Sequence, residues 1–352
     1  MKIAYILPSI INKGSITIFK DLITGTNNLY PDIQIDVFYF KKHDINFFDY
    51  RNIKKISFFK KLELNEYDII HSSGIIPNLY TFFYKKRVKA TFVTTIHSYL
   101  KEDLSNSYNK IQANIINFLW LKILSTQDCV AVLTNDAKKY YINKINTKIS
   151  VVNNGRDFNK QDSVSDYDIE IEKIIEIKKK YKIIGSNAVI SKIKGIEQVL
   201  YSLVYLKDYF FVLVGDGNEK TNLIDLSKSL GVYERCLFVD FKNNINSYTE
   251  LYDLYVMPSR SEGFGLALIE AISLDIPCLC SDIPVFKELF NEEEIIFFEL
   301  DNIEDLVLKI KILENQDIVQ KLILNAKAKY LTNFTSTKMT HNYISLYKSL
   351  IQ

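Results

Sequence analysis

The chain has 352 residues, 47% hydrophobic and 24% charged, which excludes disordered, collagen-like and mucin-like chains and suffices for about two domains. A formal net charge of +2 carries no global nucleic-acid signature, so no nucleic-acid partner is expected. The charge is uneven, however: residues 1–165 hold 23 Lys/Arg against 14 Asp/Glu, a basic half suited to an anionic surface.

Residues 2–7 (KIAYIL) have the look of a signal-peptide core, but the apolar stretch is short and no small-residue cleavage site follows. They read as a first β-strand, followed by a polar loop at 8–15 and a helical stretch to about Tyr30. Further strands are predicted at 37–40, 68–71, 91–97, 129–133 and 149–152. Residues 156–182 are charged and lack a clear strand, which marks the crossing into a second domain. There the alternation resumes, with strands at 186–191, 209–214, 236–239, 254–257 and 277–280. Helices are predicted at 195–207, at 218–230 (ended by Gly231) and from the 258–265 loop to about Leu274, with two or three more to finish. Short strands alternating with helices predict parallel α/β sheets. No apolar run reaches the ~18 residues of a membrane span. Cys129, Cys236, Cys278 and Cys280 form no CxxC pair and read as thiols in a reducing compartment.

In open parallel sheets ligands bind at the carboxyl ends of strands, so the loops there are the ones to inspect. Residues 258–270 (PSRSEGFGLALIE) are the strongest signal. Gly263 and Gly265 flank Phe264 at a strand-to-helix turn, and a helix beginning near Phe264 would aim its amides at an anion. Glu262 precedes that helix and Glu270 lies two turns on. Either carboxylate alone reads as a capping or surface residue; together with the anion cradle they fit a nucleotide sugar. His97 ends a predicted strand, and His71 ends another but reads as structural. Lys194 alone reads as a solvated lysine. Asp166-Tyr167-Asp168 spells a metal-binding DxD, but within the charged linker, and no metal is expected. Residues 80–92 with Lys54, Lys55, Lys60 and Lys61 read either as a basic-aromatic surface for anionic lipid headgroups or as a solvated helix end; residues 115–120 read as core rather than as a membrane contact.

The spacing Glu262-(seven residues)-Glu270 resembles the E-x7-E motif of retaining glycosyltransferases of family 4 (glycosyl transferases group 1), of the bacterial surface-polysaccharide type. Residues 211–217 (FVLVGDG), 251–259 (LYDLYVMPS), Asp282-Ile283-Pro284 with Glu288, and the Asn-Gly turn in 151–155 resemble the family in register. The resemblance implies the α/β GT-B fold, two Rossmann-like doubly wound domains facing across a cleft. Residues 1–155 would bind the acceptor and 156–334 the donor, with a helix at 335–352 crossing back. It also implies site roles. Glu262 would contact the donor sugar, and Gly263, Phe264, Gly265 and Leu266 would bring amides to sugar and phosphate. Glu270 would bind the ribose and Lys194 the diphosphate. Val189 stands where the family has an arginine, leaving Lys192 as the second cation. Gly215 belongs to the GDG loop, Gly14 and Ser15 to the loop nearest the donor phosphate, and His97 would lie by the reacting sugar.

The implied activity is retaining, metal-independent hexosyl transfer without a cofactor. The donor would be a nucleotide-diphosphate sugar, UDP favoured, and the acceptor a carbohydrate or lipid-linked oligosaccharide. The implied setting is lipopolysaccharide, O-antigen or capsule synthesis in the cytoplasm, at the inner face of the cell membrane. The alternatives are a catalytically degenerate binding or chaperone subunit and, third, a GT-B epimerase or phosphorylase.

Overall fold

A computed structural model of the chain describes residues 1–12, 14–157 and 168–352. They form two compact units, one of Met1–Arg156 with Asn333–Gln352, the other of Asp157–Thr332. The strands of the first are β1 (Lys2–Leu7), β2 (Gln34–Tyr39), β3 (Ile53–Lys55), β4 (Ile69–Ser73), β5 (Thr91–Ile96), β6 (Cys129–Val132) and β7 (Lys148–Val151). Those of the second are β8 (Lys182–Asn187), β9 (Tyr209–Val214), β10 (Cys236–Val239), β11 (Leu254–Met257), β12 (Cys278–Ser281) and β13 (Ile296–Phe298). All pairings are parallel, in the orders β3-β2-β1-β4-β5-β6-β7 and β10-β9-β8-β11-β12-β13. Helices cover both faces of such sheets, so central strands are apolar throughout rather than alternating; β9 (YFFVLV) is buried at every position. The order reverses between β1 and β4 in the first unit and between β8 and β11 in the second, the switch points where crevices open in doubly wound sheets.

Several predicted elements shift. The strand expected at 186–191 is β8, four residues earlier, with Lys182 opposite Tyr209 and Asn187 opposite Val214. The apolar run Ala188-Val189-Ile190 misleads because Ile190 is buried from a loop while Val189 faces solvent. Strands β3 and β13, three residues each at sheet edges, escape a period-two pattern. Four helices follow β12 rather than two or three: Pro284–Leu289, Ile303–Ile312, Gln316–Asn333 and Ser336–Ile351. Residues 115–120 are core only at their end, where Trp120 packs half-buried against the cluster that holds Leu124. In the helix Lys110–Leu124 only Ala113 and Leu124 are buried, and Ile115, Phe118 and Leu119 are exposed. Of the DxD run, Asp166 and Tyr167 lie outside the described residues. Asp168 caps the helix Ile169–Lys178 through the Glu170 amide and accepts from Tyr248 (2.6 Å) and Lys242 (3.1 Å), a structural role. Cys129, Cys278 and Cys280 are buried free thiols and Cys236 is half-buried.

The C-terminal helix Ser336–Ile351 is fastened to the first sheet by a buried polar chain. His71 Nδ1 and the Tyr347 hydroxyl share a hydrogen bond of 2.6 Å, and His71 Nε2 lies 2.8 Å from Thr95 Oγ1. The Tyr343 hydroxyl lies 3.0 Å from the same Thr95 oxygen. Burial, with a smaller repulsion from His97, pushes His71 down to about 3; desolvation pushes His97 down to about 4. The unfolded chain takes up both protons below about pH 6.5 while the folded chain does not. Stability is therefore full above pH 6.5 and declines below it by about 1.4 kcal/mol per pH unit for each histidine, down to about pH 4 for His97 and about pH 3 for His71. Urea midpoints at pH 7 and 5.5 should differ accordingly, in a window above most carboxylate titration; equal midpoints would mean both rings reach water. Tyr347→Phe, which strands the His71 ring nitrogen, should remove about 1–3 kcal/mol at pH 7.

Candidate active site

Three loops meet at the carboxyl ends of the adjacent strands β9, β8 and β11. After β8 the chain makes a one-turn 3-10 helix, Lys192–Lys194, closed by Gly195 in the left-handed conformation. After β11 it runs through Pro258 and Ser259 to Glu262, then enters the helix Leu266–Ser273. Lys194 Nζ donates to Glu262 Oε1 at 2.6 Å, and Ser259 Oγ donates to the same oxygen at 2.8 Å. The side chains of Lys194 and Glu262 are 24% and 10% exposed, enough for a ligand to reach and little enough to strengthen the pair. An ammonium has three donors, so the bond to Glu262 leaves Lys194 N–H groups for an anion.

The helix begins at Leu266, two residues later than expected. Gly265 is left-handed (φ +84°), which a right-handed helix cannot include, and it becomes the N-cap. The N-cap glycine has no side chain to cap this end, and the positive end of the helix dipole there suits an anion. Gly263 and Leu266 are half-buried, while Phe264 and Gly265 are buried. Glu270 is buried on the second turn, and its charge adds to the burial that holds the Tyr255 phenol well above its usual range. Gly215 ends β9 in a conformation open to glycine alone (φ +145°), and the following Asp216 accepts from the Phe241 amide at 2.9 Å. The Ile190 amide donates to the Asp216 carbonyl, tying the GDG loop to the segment that leads to Lys194.

Not every candidate is gathered in. Lys192 is exposed, and among the described residues only its carbonyl is engaged; in a turn of three residues per revolution, positions two apart point in different directions. Val189, at the arginine position of the family, is 74% exposed. In the first unit Gly14 is the exposed first residue of the helix Gly14–Leu29, Ser15 is half-buried, and Lys13 lies outside the described residues. His97 follows β5 directly. Its ring packs edge-on to Phe19 at 5.8 Å, and its buried Nε2 has no hydrogen-bond partner among the described residues.

The sequence gives no hint of Arg260, which holds the loops together. Its amide donates to the Ile193 carbonyl (2.8 Å) and its guanidinium to the Lys192 carbonyl (2.9 Å). The guanidinium also pairs with Glu197 (2.6 Å) and Asp301 (2.5 Å). Gln198 adds a second tie, donating to the carbonyls of Gly195 and Pro258 and accepting from the Asp301 amide. Together these fix the Lys194 turn against the loop that carries Glu262.

Residues 168–329 match the family described as "Glycosyl transferases group 1", and residues 26–160 match "Glycosyltransferase Family 4". An Escherichia coli protein named "O-antigen biosynthesis glycosyltransferase WclY" is 33% identical over 360 residues, covering 100% of this chain and 99% of its own. Another from Escherichia coli, "UDP-Gal:alpha-D-GlcNAc-diphosphoundecaprenol alpha-1,3-galactosyltransferase", is 24% identical over 84% of this chain and 79% of its own. Among solved structures, Anabaena HepE in complex with UDP and glucose superposes with a TM-score of 0.81 at 16% identity, covering 99% of this chain and 100% of that one, a likeness of fold.

Proposed function

Because the chain belongs to the family 4, group 1 glycosyl transferases of GT-B fold, we propose that it moves a sugar from a nucleotide diphosphate to a carbohydrate or lipid-linked acceptor, retaining the anomeric configuration. The names of its relatives favour O-antigen or related surface-polysaccharide assembly and a UDP-sugar donor. The observation that carries the proposal is the Lys194–Glu262 pair, 2.6 Å apart beside an uncapped helix N-terminus at the switch point of the second sheet. A cation and the amides of a helix start suit a diphosphate, and the adjoining carboxylate suits sugar hydroxyls.

In this scheme the acceptor oxygen attacks the anomeric carbon from the face the diphosphate leaves. The bond from that carbon to the phosphate oxygen breaks, and the acceptor's proton passes to the departing phosphate. Lys194 and the amides of Phe264, Gly265 and Leu266 stabilise the negative charge that develops, so that no metal is needed. Glu262 orients the sugar and Glu270 binds the ribose, with Gly215 keeping the neighbouring loop close. His97 is neutral at pH 7 and offers its unpartnered Nε2 to a sugar hydroxyl.

The slow hydrolysis of α-linked UDP-sugars, followed by proton NMR in EDTA, tests both retention and metal independence. The first free sugar should be the α anomer. A β anomer first, or turnover only with added divalent metal, would overturn the scheme, and the absence of turnover with every donor would favour a binding subunit.

A further inference from the structure

The second unit carries a helical face that takes no part in the chemistry above. The helix Ile303–Ile312 buries Leu306 and Ile310 in the core that also holds Leu200, Leu203 and Leu206. Its outer side is a narrow stripe of Glu304, Leu308 and Lys311, positions i, i+4 and i+7, all exposed. Leu308 is 56% exposed. Glu304 and Lys311 stand two turns apart, about 10 Å along the axis, too far to pair with each other. Neither has an ion pair among the described residues. The helix packs against its neighbour Glu197–Leu203. That helix and the turn after it present Tyr201 (40% exposed) and Tyr205 (66%) to solvent.

The order of the stripe points to its occupant. Acid, leucine and base follow one another along the helix, with the leucine near the midpoint. A two-fold axis beside Leu308 lays a second copy of the helix antiparallel on the first. Leu308 then packs on its own copy at the axis, and Glu304 of each copy faces Lys311 of the other. Both charges are met twice, and the leucine leaves water. Tyr201 and Tyr205 flank the seam with aromatic area of the kind enriched in interfaces. A net charge of only +2 sets little long-range repulsion between two copies. A lipid surface is a poorer occupant, because the charges of the stripe cancel and offer an anionic leaflet no excess of cations.

We propose that the face formed by the helices Ile303–Ile312 and Glu197–Leu203 pairs two copies of this chain in an isologous dimer. The inference does not rest on the proposed sugar transfer, since self-association needs neither donor nor acceptor.

The test is sedimentation velocity of the full chain from about 1 to 100 µM, a range set by the micromolar affinity of a small interface. The wild type should pass from monomer to dimer across it. Glu304→Lys alone and Lys311→Glu alone should each weaken the dimer at least about tenfold, because two like-charge contacts replace two ion pairs. The double variant, Glu304→Lys with Lys311→Glu, should regain the dimer, and so should an equimolar mixture of the two single variants, since each again sets acid against base. Leu308→Asp should abolish it. These side chains are exposed, so melting temperatures should stay within a degree or two of the wild type and separate lost pairing from lost folding. A wild type that stays monomeric at every concentration overturns the proposal. So does a dimer that neither single variant weakens, or a mixture of the two that stays monomeric.

Discussion

Lys194→Ala should lower the rate of sugar transfer by about 10²–10³-fold with a smaller change in the donor KM. The charge that Lys194 faces grows as the diphosphate leaves, so its contribution is greater in the transition state than in the bound ground state. Glu262 shares the 2.6 Å bond and loses its cation in the same variant, while keeping the Ser259 hydroxyl. Glu262→Gln should be impaired as well, because a neutral amide holds the ammonium less firmly. The two residues are in contact, so their effects should not add: Lys194→Ala with Glu262→Gln should be little slower than the worse single variant. Steady-state kinetics on the four proteins reads this directly. Unchanged kcat in Lys194→Ala would reduce the pair to a structural tie.

Gly215→Ala should have the largest effect on stability, about 3–5 kcal/mol, lowering the melting temperature by roughly 10 °C. Two penalties coincide. At φ +145° a side chain is strained whatever the space. A Cβ there would also sit 1.9 Å from the Ala188 carbonyl oxygen, a backbone atom that cannot rotate aside. Relief requires the 188–190 segment to move, and that segment leads into the turn carrying Lys194. Nucleotide affinity should therefore fall together with stability. Differential scanning calorimetry with and without nucleotide separates the two, and a variant melting like the wild type would show that the loop yields freely.

Strands β9 and β11 match the predicted apolar runs, because strands buried on both faces leave abrupt polar borders. The same rule misplaces β8, where Ile190 is buried outside any strand. Periodicity also cannot say which way an apolar helix faces. Residues 115–120 read as core, yet the helix Lys110–Leu124 turns Ile115, Phe118 and Leu119 outward. In the candidate site the residues were legible as a motif, but their geometry was not. Lys194 and Glu262 are 68 positions apart, and nothing local announces the bond between them. Arg260 stands inside the motif itself, but its tether depends on Asp301, 41 positions on. The unpartnered Nε2 of His97 is a property of packing alone.

The most direct test is thermal melting of the wild type and of Glu270→Ala in EDTA with UDP, GDP, ADP, CMP and their sugars. One diphosphate nucleotide should stabilise the wild type by about 2.7 kcal/mol at a concentration ~100 times its Kd, and Glu270→Ala should lose that shift. If no nucleotide raises the melting temperature of the folded wild type, or if the shift survives Glu270→Ala intact, the second unit is not the donor site described here.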